Sequence, residues 1–293
     1  MGASSEAEPG DVVAEMIRER ATAVIETEPA ALAGEDDGVH QHRSQVRRLR
    51  DVLAATRASV DPGLRAQLEP LLAAWGRILG AVRDAEVRAA IADEALTALG
   101  IHDGPVRARL VDAERAEYGR LLPRLTALRE EPRFEELFAQ LRRLPEQGTE
   151  ELAATDADAD DFARELLESE ARRVRRAARR IDGSEDAYHR LRKSARRLRS
   201  VAVATAEAAD LEGESAHALA KAAKRIHGSL GDHRDQSLFV ERLDRARTHG
   251  VRAGESAAEY DALLEQARAA AADGLHELRR SVERVRKAAK QLD

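Results

Sequence analysis

Apolar side chains recur along this chain every three to four residues, which is the spacing of one face of an α-helix. Ala, Leu, Arg and Glu dominate and runs of β-branched residues are missing, so the pattern predicts an all-α fold. The predicted helices of the first part of the chain cover residues 11–32, 37–60, 62–80, 81–99, 104–130 and 132–145. Those of the second part cover residues 158–182, 185–211, 214–230, 232–248 and 255–292.

The breaks between predicted helices coincide with residues that start or end helices. Asp61-Pro62 supplies a capping carboxylate followed by proline at the first helical position. Gly183-Ser184 separates two arginine-rich helices, with a glycine suited to a helix end and a serine suited to the next cap. The periodic pattern lapses over an acidic stretch, which predicts a first helical half at 11–149, an acidic linker at 150–161 and a second helical half at 162–292.

The two halves share a pair of motifs in the same order. Residues 40–50 and 189–199 both fit H-x-x-R-x-x-x-R-R-L-R, and residues 79–84 and 230–235 both fit L-G-x-x-R-D. Arginine-rich helices are common, but two motifs repeated in one order and at nearly one offset predict a tandem duplication. The expected architecture is therefore two helical-bundle halves that arose by internal duplication.

Helical geometry gives the first motif a cationic face. At about 100° per residue, its histidine and three of its arginines fall within about 80° of one another, beside the apolar stripe. We call this row, His40, Arg43, Arg47 and Arg50, the first ladder, and its equivalent, His189, Arg192, Arg196 and Arg199, the second ladder. The cations that flank the two ladders are Arg48, Lys193 and Arg197. Neither motif contains an acid at i±4, so these cations need an anion from another helix or from a ligand.

Further cations extend the predicted phosphate-binding site along other helices. They are Arg83, Arg172, Arg175, Arg176, Arg179, Lys221, Lys224, Arg225, Arg234, His276, Arg279, Arg280, Arg286, Lys287 and Lys290. Many of them border an apolar stripe, so bundling is expected to bring them into a shared basic groove or central cavity. The alternative is a set of interhelical ion pairs, which stabilise little when exposed, with acids such as Glu207, Asp210, Glu259 and Asp261.

Charge is divided unevenly along the chain. The first 170 residues carry 21 basic and 35 acidic side chains, whereas residues 171–293 carry 27 and 19, for a net charge of −6. Such asymmetry favours an anionic ligand. The absence of cysteine excludes disulfides, and no apolar run reaches the roughly 18 residues of a membrane helix. The acidic N-terminus lacks the apolar core of a signal peptide, so a cytoplasmic protein without membrane contact is expected.

The ladders suit a phosphate polymer. A guanidinium stays charged and grips oxygens in a fork, and 43 of the 48 basic residues are arginine. Duplex DNA fits less well because the acidic first part of the chain would repel a rigid rod. Single-stranded RNA is usually held by aromatic stacking, and only eight aromatic residues are present. The sequence therefore favours inorganic polyphosphate or a similar polyanion without bases over nucleic acid.

The ordered pair of motifs resembles the CHAD family (conserved histidine α-helical domain) over about residues 11–292. The resemblance rests on the two ladders, their flanking cations and the two L-G-x-x-R-D segments. It implies two helical halves related by a pseudo-twofold axis around a basic central cavity. It also implies binding of inorganic polyphosphate, without catalysis by the domain and often with association with polyphosphate granules. Some family members carry a fused triphosphate-tunnel enzyme domain.

Three features depart from the family pattern. His42 stands on the inward stripe where an apolar residue is usual, and Ser200 follows the second motif where an aromatic residue is common. Proline and alanine occupy the positions in the first half that correspond to three cations of the second, Lys221, Lys224 and Arg225. The first half is therefore expected to contribute fewer cations to the groove.

Histidine chemistry leaves other functions as alternatives. Three pairs have the carboxylate-x-x-His spacing of di-metal helical bundles: Asp186/His189, Glu214/His217 and Asp273/His276. Neighbouring arginines should repel a divalent metal, so neither a metal nor a cofactor is expected. The ladder histidines are instead expected to donate hydrogen bonds to phosphate oxygens and to gain charge as the pH falls. A metal-dependent phosphohydrolase acting on polyphosphate and a helical protein–protein scaffold are the alternatives, and no obligate protein partner is evident.

Overall fold

The computed structural model describes residues 9–153, 159–208, 214–276 and 278–290. Their longer helices are α1 (Pro9–Ala33), α2 (Gly38–Ala55), α3 (Pro62–Ala98), α4 (Ala113–Arg129), α5 (Pro132–Arg143), α6 (Ala159–Ala178), α7 (Glu185–Ala208), α8 (Glu214–Arg252), α9 (Ala257–Asp273) and α10 (Leu278–Ala289). A short helix, Pro105–Arg107, and a π-helical segment, Ala108–Asp112, lead into α4. The described residues contain no strand beyond an isolated bridge between Val60 and Ala153, so the all-α fold class is confirmed.

The breaks predicted next to the L-G-x-x-R-D motifs are wrong. α3 runs unbroken through residues 79–84, and α8 runs unbroken through residues 230–235, where the pattern predicts two helices each. A glycine inside a helix costs about 1 kcal/mol relative to alanine. Leu79 and Leu230, which precede the two glycines, are almost fully buried, and this apolar burial outweighs the cost.

The single helix predicted over 255–292 is in fact two helices, α9 and α10. The chain turns at Gly274, whose carbonyl oxygen accepts a hydrogen bond from the Ser229 hydroxyl. A β-carbon at Gly274 would lie 3.0 Å from the Cβ of His233, so the turn depends on glycine for its close approach to α8. The apolar periodicity continues across this turn and therefore does not reveal it.

The helices cluster into two compact units, and each unit draws on both parts of the sequence. Unit 1 takes the described residues of 1–77, 128–227 and 279–293, and unit 2 takes those of 78–127 and 228–278. The borders fall inside α3, α4 and α8 and after the first residue of α10. The two predicted halves, 11–149 and 162–292, are consecutive stretches of sequence, whereas each unit combines residues of both. The division into halves stays a prediction.

The helices before and after residue 150 follow one another with similar lengths. α3 and α8 have 37 and 39 residues, α4 and α9 have 17 each, and α5 and α10 have 12 each. α2 and α7 carry the two ladders. This order agrees with an internal duplication, although the duplication and its pseudo-twofold axis stay predictions. Of the predicted linker, residues 154–158 lie outside the described residues, and a helical turn, Thr149–Leu152, precedes them.

The core of unit 1 contains an aromatic cluster around His42. Trp75, Phe134 and Phe138 are fully buried, and the Trp75 ring centroid lies 5.0 Å and 5.6 Å from those of the two phenylalanines. The Trp75 indole donates to Nε2 of His42 at 2.8 Å, so the ring proton sits on Nδ1, which lies 3.1 Å from the Thr27 hydroxyl. Burial lowers the pKa of His42 to about 4. This departure from the apolar pattern is therefore a neutral core histidine with both nitrogens satisfied.

His42 makes the stability of the protein pH-dependent. The unfolded chain binds a proton at His42 near pH 6.5 and the folded chain only near pH 4, so stability is present at pH 7 and is lost as the pH falls. We expect His42 to account for a loss of about 2 kcal/mol between pH 7 and pH 5. Urea unfolding followed by Trp75 fluorescence would measure it. H42Q should keep both hydrogen bonds and lose less stability over this range, and parallel decreases in the two proteins would contradict the assignment.

The core of unit 2 is lined by α3, α8, α9 and the turns that lead into α4. Leu96, Leu110, Leu243 and Leu263 are fully buried in it. The hydroxyl of the buried Tyr260 donates to Oε2 of Glu255 at 2.6 Å, and Glu255 also pairs with Arg109. Unit 2 is thus held by an apolar core with one buried polar network at its edge.

Candidate functional site

The two ladders meet where α2 packs against α7. Both helices also contact α1, and α7 contacts α6. The apolar stripes that border the ladders are buried, with Val46 and Leu49 on α2 and Leu191 and Leu198 on α7. Burial of these stripes explains the placement of the ladders, because cations beside a packed stripe end up beside the seam between the helices.

Arg47 lies at the centre of this cationic seam. Burial, first of all, and then repulsion by Arg196, Arg43 and Arg192 lower the pKa of Arg47 to about 10, while Asp51 opposes the shift. Its described side-chain hydrogen bond is to a neutral group, the Ser44 hydroxyl at 3.1 Å. Arg43 of α2 and Arg192 and Arg196 of α7 therefore lie close enough to Arg47 to act on its charge. This is the arrangement expected of two ladders that converge. We call Arg43, Arg47, Arg192, Arg196 and Arg199 the arginine cluster.

Two further arginines of α2, Arg48 and Arg50, adjoin the arginine cluster. Burial and then repulsion by Arg199 and Arg20 lower the pKa of Arg48, which donates to the Gln45 amide oxygen at 3.3 Å. Burial also lowers the pKa of Arg50, with repulsion from Arg196 and Arg77 partly offset by Asp51. The positive charge thus extends along the seam beyond the central residues.

Asp51, which directly follows the first motif on α2, is the carboxylate that pairs with the second ladder on α7. It is buried, and its two oxygens accept hydrogen bonds from Nε and Nη2 of Arg196 at 3.0 Å each. The Ser200 hydroxyl donates to the same carboxylate at 3.1 Å. Ser200 and Asp51 occupy equivalent positions of the two repeats, 149 residues apart. The unusual serine of the second motif is thus a hydrogen-bond donor across the seam.

Two motif cations have acid partners on other helices, which is the alternative to a ligand that the sequence left open. Arg196 is held in a bidentate pair by Asp51. Arg197 pairs with the buried Glu170 of α6 at 2.8 Å and donates to the Ala54 carbonyl at 2.9 Å. The predicted shortage of acids holds inside each motif but not across helices. Glu207, one of the acids named for the ion-pair alternative, pairs with the buried Arg20 of α1.

His227 of α8 lies next to the arginine cluster, although it is not part of either motif. Burial, followed by repulsion from Arg192, Arg47, Arg196 and Arg199, lowers its pKa to about 3. Among the described residues, its Nε2 atom has no hydrogen-bond partner. The sequence offers one weak signal, since His227 lies three positions before the second L-G-x-x-R-D motif.

The remaining predicted cations of unit 1 lie mostly on exposed helix faces. Arg172 pairs with Glu168 at 2.6 Å, and Arg286 pairs with Glu283 at 2.7 Å. The others with exposed side chains are Arg176, Arg179, Lys193, Lys221, Lys224, Arg225, Arg279, Arg280, Lys287 and Lys290. Arg175 and the two ladder histidines, His40 and His189, are half-buried. The structure does not show these exposed cations joining the arginine cluster.

An open cleft accompanies the cations of α10. The described residues that line it are Arg279, Arg280, Glu283, Arg284 and Lys287. A basic cavity shared by both halves of the sequence is not shown and stays a prediction. The cleft places additional positive charge on the C-terminal helix of unit 1.

Three predicted cations belong to unit 2. Arg83 pairs with Glu86 one turn away at 2.8 Å, and the exposed His276 lies 3.4 Å from Asp273. Arg234 is half-buried in α8. Two of these three residues, Arg83 and His276, therefore have an acid three positions away as a partner.

Neither a metal site nor a membrane span is found in the part of the chain that the structure describes. These residues contain no group of three or more histidines and carboxylates arranged to hold a metal ion. The side chain of Glu214, a member of one of the three predicted pairs, lies outside this part. None of the described helices combines the length and apolar character needed to cross a bilayer.

An all-helical fold with arginines gathered at the seam of two repeated motif helices defines the class of protein. The chain belongs to the CHAD family, whose domain model matches residues 15–244. Membership confirms the family resemblance of the motifs and supports a polyphosphate-related function at the level of the family.

Curated relatives come from Mycobacterium tuberculosis. They are the "Uncharacterized protein MT2285" of strain CDC 1551 / Oshkosh and the "Uncharacterized protein Rv2226" of strain ATCC 25618 / H37Rv. Each is 32% identical over 270 residues, covering 88% of this chain and 50% of the relative. The chain therefore spans about half the length of the curated relatives it matches.

Solved structures with the same fold come from a bacterium and a plant. "PptA from Streptomyces chartreusis" matches with a TM-score of 0.69 at 19% identity, over 98% of this chain and 99% of that one. The CHAD domain from the plant Ricinus communis matches with a TM-score of 0.68 at 21% identity, over 100% and 95%. At these identities the likeness establishes the fold alone.

Proposed function

We propose that this protein binds inorganic polyphosphate through the arginine cluster at the seam of α2 and α7. One observation carries the proposal: Arg47 lies at the seam beside ladder arginines from two helices, and burial first and then their repulsion lower its pKa to about 10, with Asp51 opposing the shift. Guanidinium groups held in mutual repulsion gain free energy when an anion enters between them. Arginine presents a planar fork to phosphate oxygens and remains charged on binding.

A linear polymer suits this arrangement better than a single phosphate. Arg48 and Arg50 adjoin the cluster, and Arg77 acts on Arg50, so successive phosphate groups could each meet a cation. Exposed cations of α6, α8 and α10 are further contacts for a longer chain. Nucleic acid fits less well, since aromatic side chains for base stacking are scarce.

The first test is calorimetric titration with long-chain polyphosphate near 0.15 M salt, alongside orthophosphate and duplex DNA. Polyphosphate should bind, with an affinity that falls about tenfold or more when the salt is raised from 0.05 to 0.2 M, because counterions are released. Orthophosphate and DNA should bind far more weakly. Equal affinity for orthophosphate would argue against a polymer site, and preference for DNA would overturn the proposal.

Binding without catalysis is part of the proposal. We propose that the domain needs no metal or cofactor and acts in the cytoplasm at polyphosphate granules. Phosphate release from polyphosphate on addition of Mg²⁺ or Mn²⁺ would favour the phosphohydrolase instead. A defined protein partner together with indifference to polyphosphate would favour the scaffold.

A further inference from the structure

His227 is a half-buried ionisable group next to the arginines of the proposed site. It lies on α8 and belongs, like α2 and α7, to unit 1. Its Nε2 atom is buried and has no hydrogen-bond partner among the described residues. Buried side-chain nitrogens are normally paired, so an orphaned one inside a binding cluster needs an explanation.

The charged groups that act on His227 come from both ladder helices. Arg192, Arg196 and Arg199 do so from α7, and Arg47 does so from α2. The nearby acid, Asp51, is engaged with Arg196. Together with burial, these four cations hold the pKa of His227 at about 3, so the imidazole is neutral at physiological pH.

The first repeat has no counterpart to this histidine. An offset of 151 residues pairs His227 with Gly76 of α3. A β-carbon at Gly76 would lie 3.4 Å from Nη1 of Arg50, so the first-ladder arginine lies against a bare backbone there. Where the first repeat makes room for a guanidinium, the second repeat places a group that can change its charge.

We infer that His227 takes up a proton when a polyanion occupies the arginine cluster, and so becomes an additional cation of the site. This rests on the proposed function. Burial and the repulsion of the four guanidinium groups together keep the imidazole neutral, and an anion among those groups offsets the repulsion. The solvent supplies the proton, and no covalent bond other than N–H forms. Because the complex then holds more protons than the free protein, affinity rises as the pH falls.

Proton uptake distinguishes this role from a packing role. Polyphosphate is titrated at pH 6.0 in two buffers of different ionisation enthalpy, using the wild type, H227Q and H249Q. If the bound pKa returns to about 6.5, the wild type takes up about three-quarters of a proton more than H227Q and gains about fourfold in affinity between pH 8 and pH 6. H249Q changes an exposed histidine of unit 2 and should match the wild type. Any proton that the half-buried His40 or His189 takes up contributes equally in all three proteins, so it does not affect the comparison.

Each outcome separates the inference from the proposed function. Binding by H227Q at pH 8 with loss of the extra uptake supports the inference. Equal uptake in H227Q and the wild type overturns it and leaves polyphosphate binding intact. Absence of binding by the wild type refutes the proposed function. Should H227Q fail to fold, NMR of ¹⁵N-histidine-labelled wild type follows the same proton, and a His227 pKa unmoved by polyphosphate overturns the inference.

Discussion

Neutralising Arg47 and Arg192 together, as R47Q/R192Q, is expected to weaken polyphosphate binding about a hundredfold. Each arginine supplies a charge-assisted hydrogen bond worth roughly 1.5–3 kcal/mol, and two such losses at the lower end of this range correspond to about two decades in affinity. The slope of log affinity against log salt should shrink by about 1.4, or 0.7 for each lost charge. Titration calorimetry at several salt concentrations measures both quantities.

The same double variant should fold at least as well as the wild type. Repulsion from Arg192 contributes to the lowered pKa of Arg47, so removing both charges relieves strain between cations. The matched control is R120Q/R245Q, which removes two arginines with side chains 68% and 71% exposed. The control should lose little affinity. If both doubles bind alike, polyphosphate does not use the α2–α7 seam, and the cleft of α10 becomes the next site to test.

Replacing Asp51 by asparagine should move stability and binding in opposite directions. Breaking a buried ion pair leaves Arg196 without its carboxylate, and we expect a loss of about 2–4 kcal/mol in the free energy of unfolding. Polyphosphate should bind the variant several times more tightly, because the anion that competes for Arg196 is gone. Urea unfolding and calorimetric titration give the two values.

The control for this second experiment is D261N. Asp261 pairs with Arg247 at 2.7 Å on an exposed surface of unit 2, and the loss of such a pair costs only about 0–1 kcal/mol. Polyphosphate should also protect D51N against heat more strongly than it protects the wild type. Weaker binding by D51N would show that Asp51 supports the shape of the site and does not compete with the ligand.

Much of the site could be predicted because the motif fixes a helical face. Histidine and arginine at i, i+3, i+7 and i+10 lie beside the buried stripe of Val46 and Leu49, and α2 and α7 meet there. The ion pairs of Arg196 and Arg197 could not be predicted, since their acids, Asp51 and Glu170, come from other helices. Local spacing carries no information about such long-range partners.

The predicted helix boundaries are wrong where packing outweighs the local preference of the residues. The glycines of the L-G-x-x-R-D motifs lie inside α3 and α8, because the buried leucines that precede them keep those helices continuous. His227 was missed for a related reason. Its role depends on arginines from two other helices, and its own neighbours in sequence give little sign of them.

Under the predicted duplication, the contact between Asp51 and Ser200 joins equivalent positions of the two copies. A bond between equivalent positions is the arrangement that a local twofold axis creates, where each residue meets its own counterpart. Identical aspartates there would oppose one carboxylate to another, and identical serines would leave the guanidinium of Arg196 without its acid. A single chain that carries both motif helices can place the acid on one helix and the hydroxyl on the other, a combination closed to a symmetric homodimer.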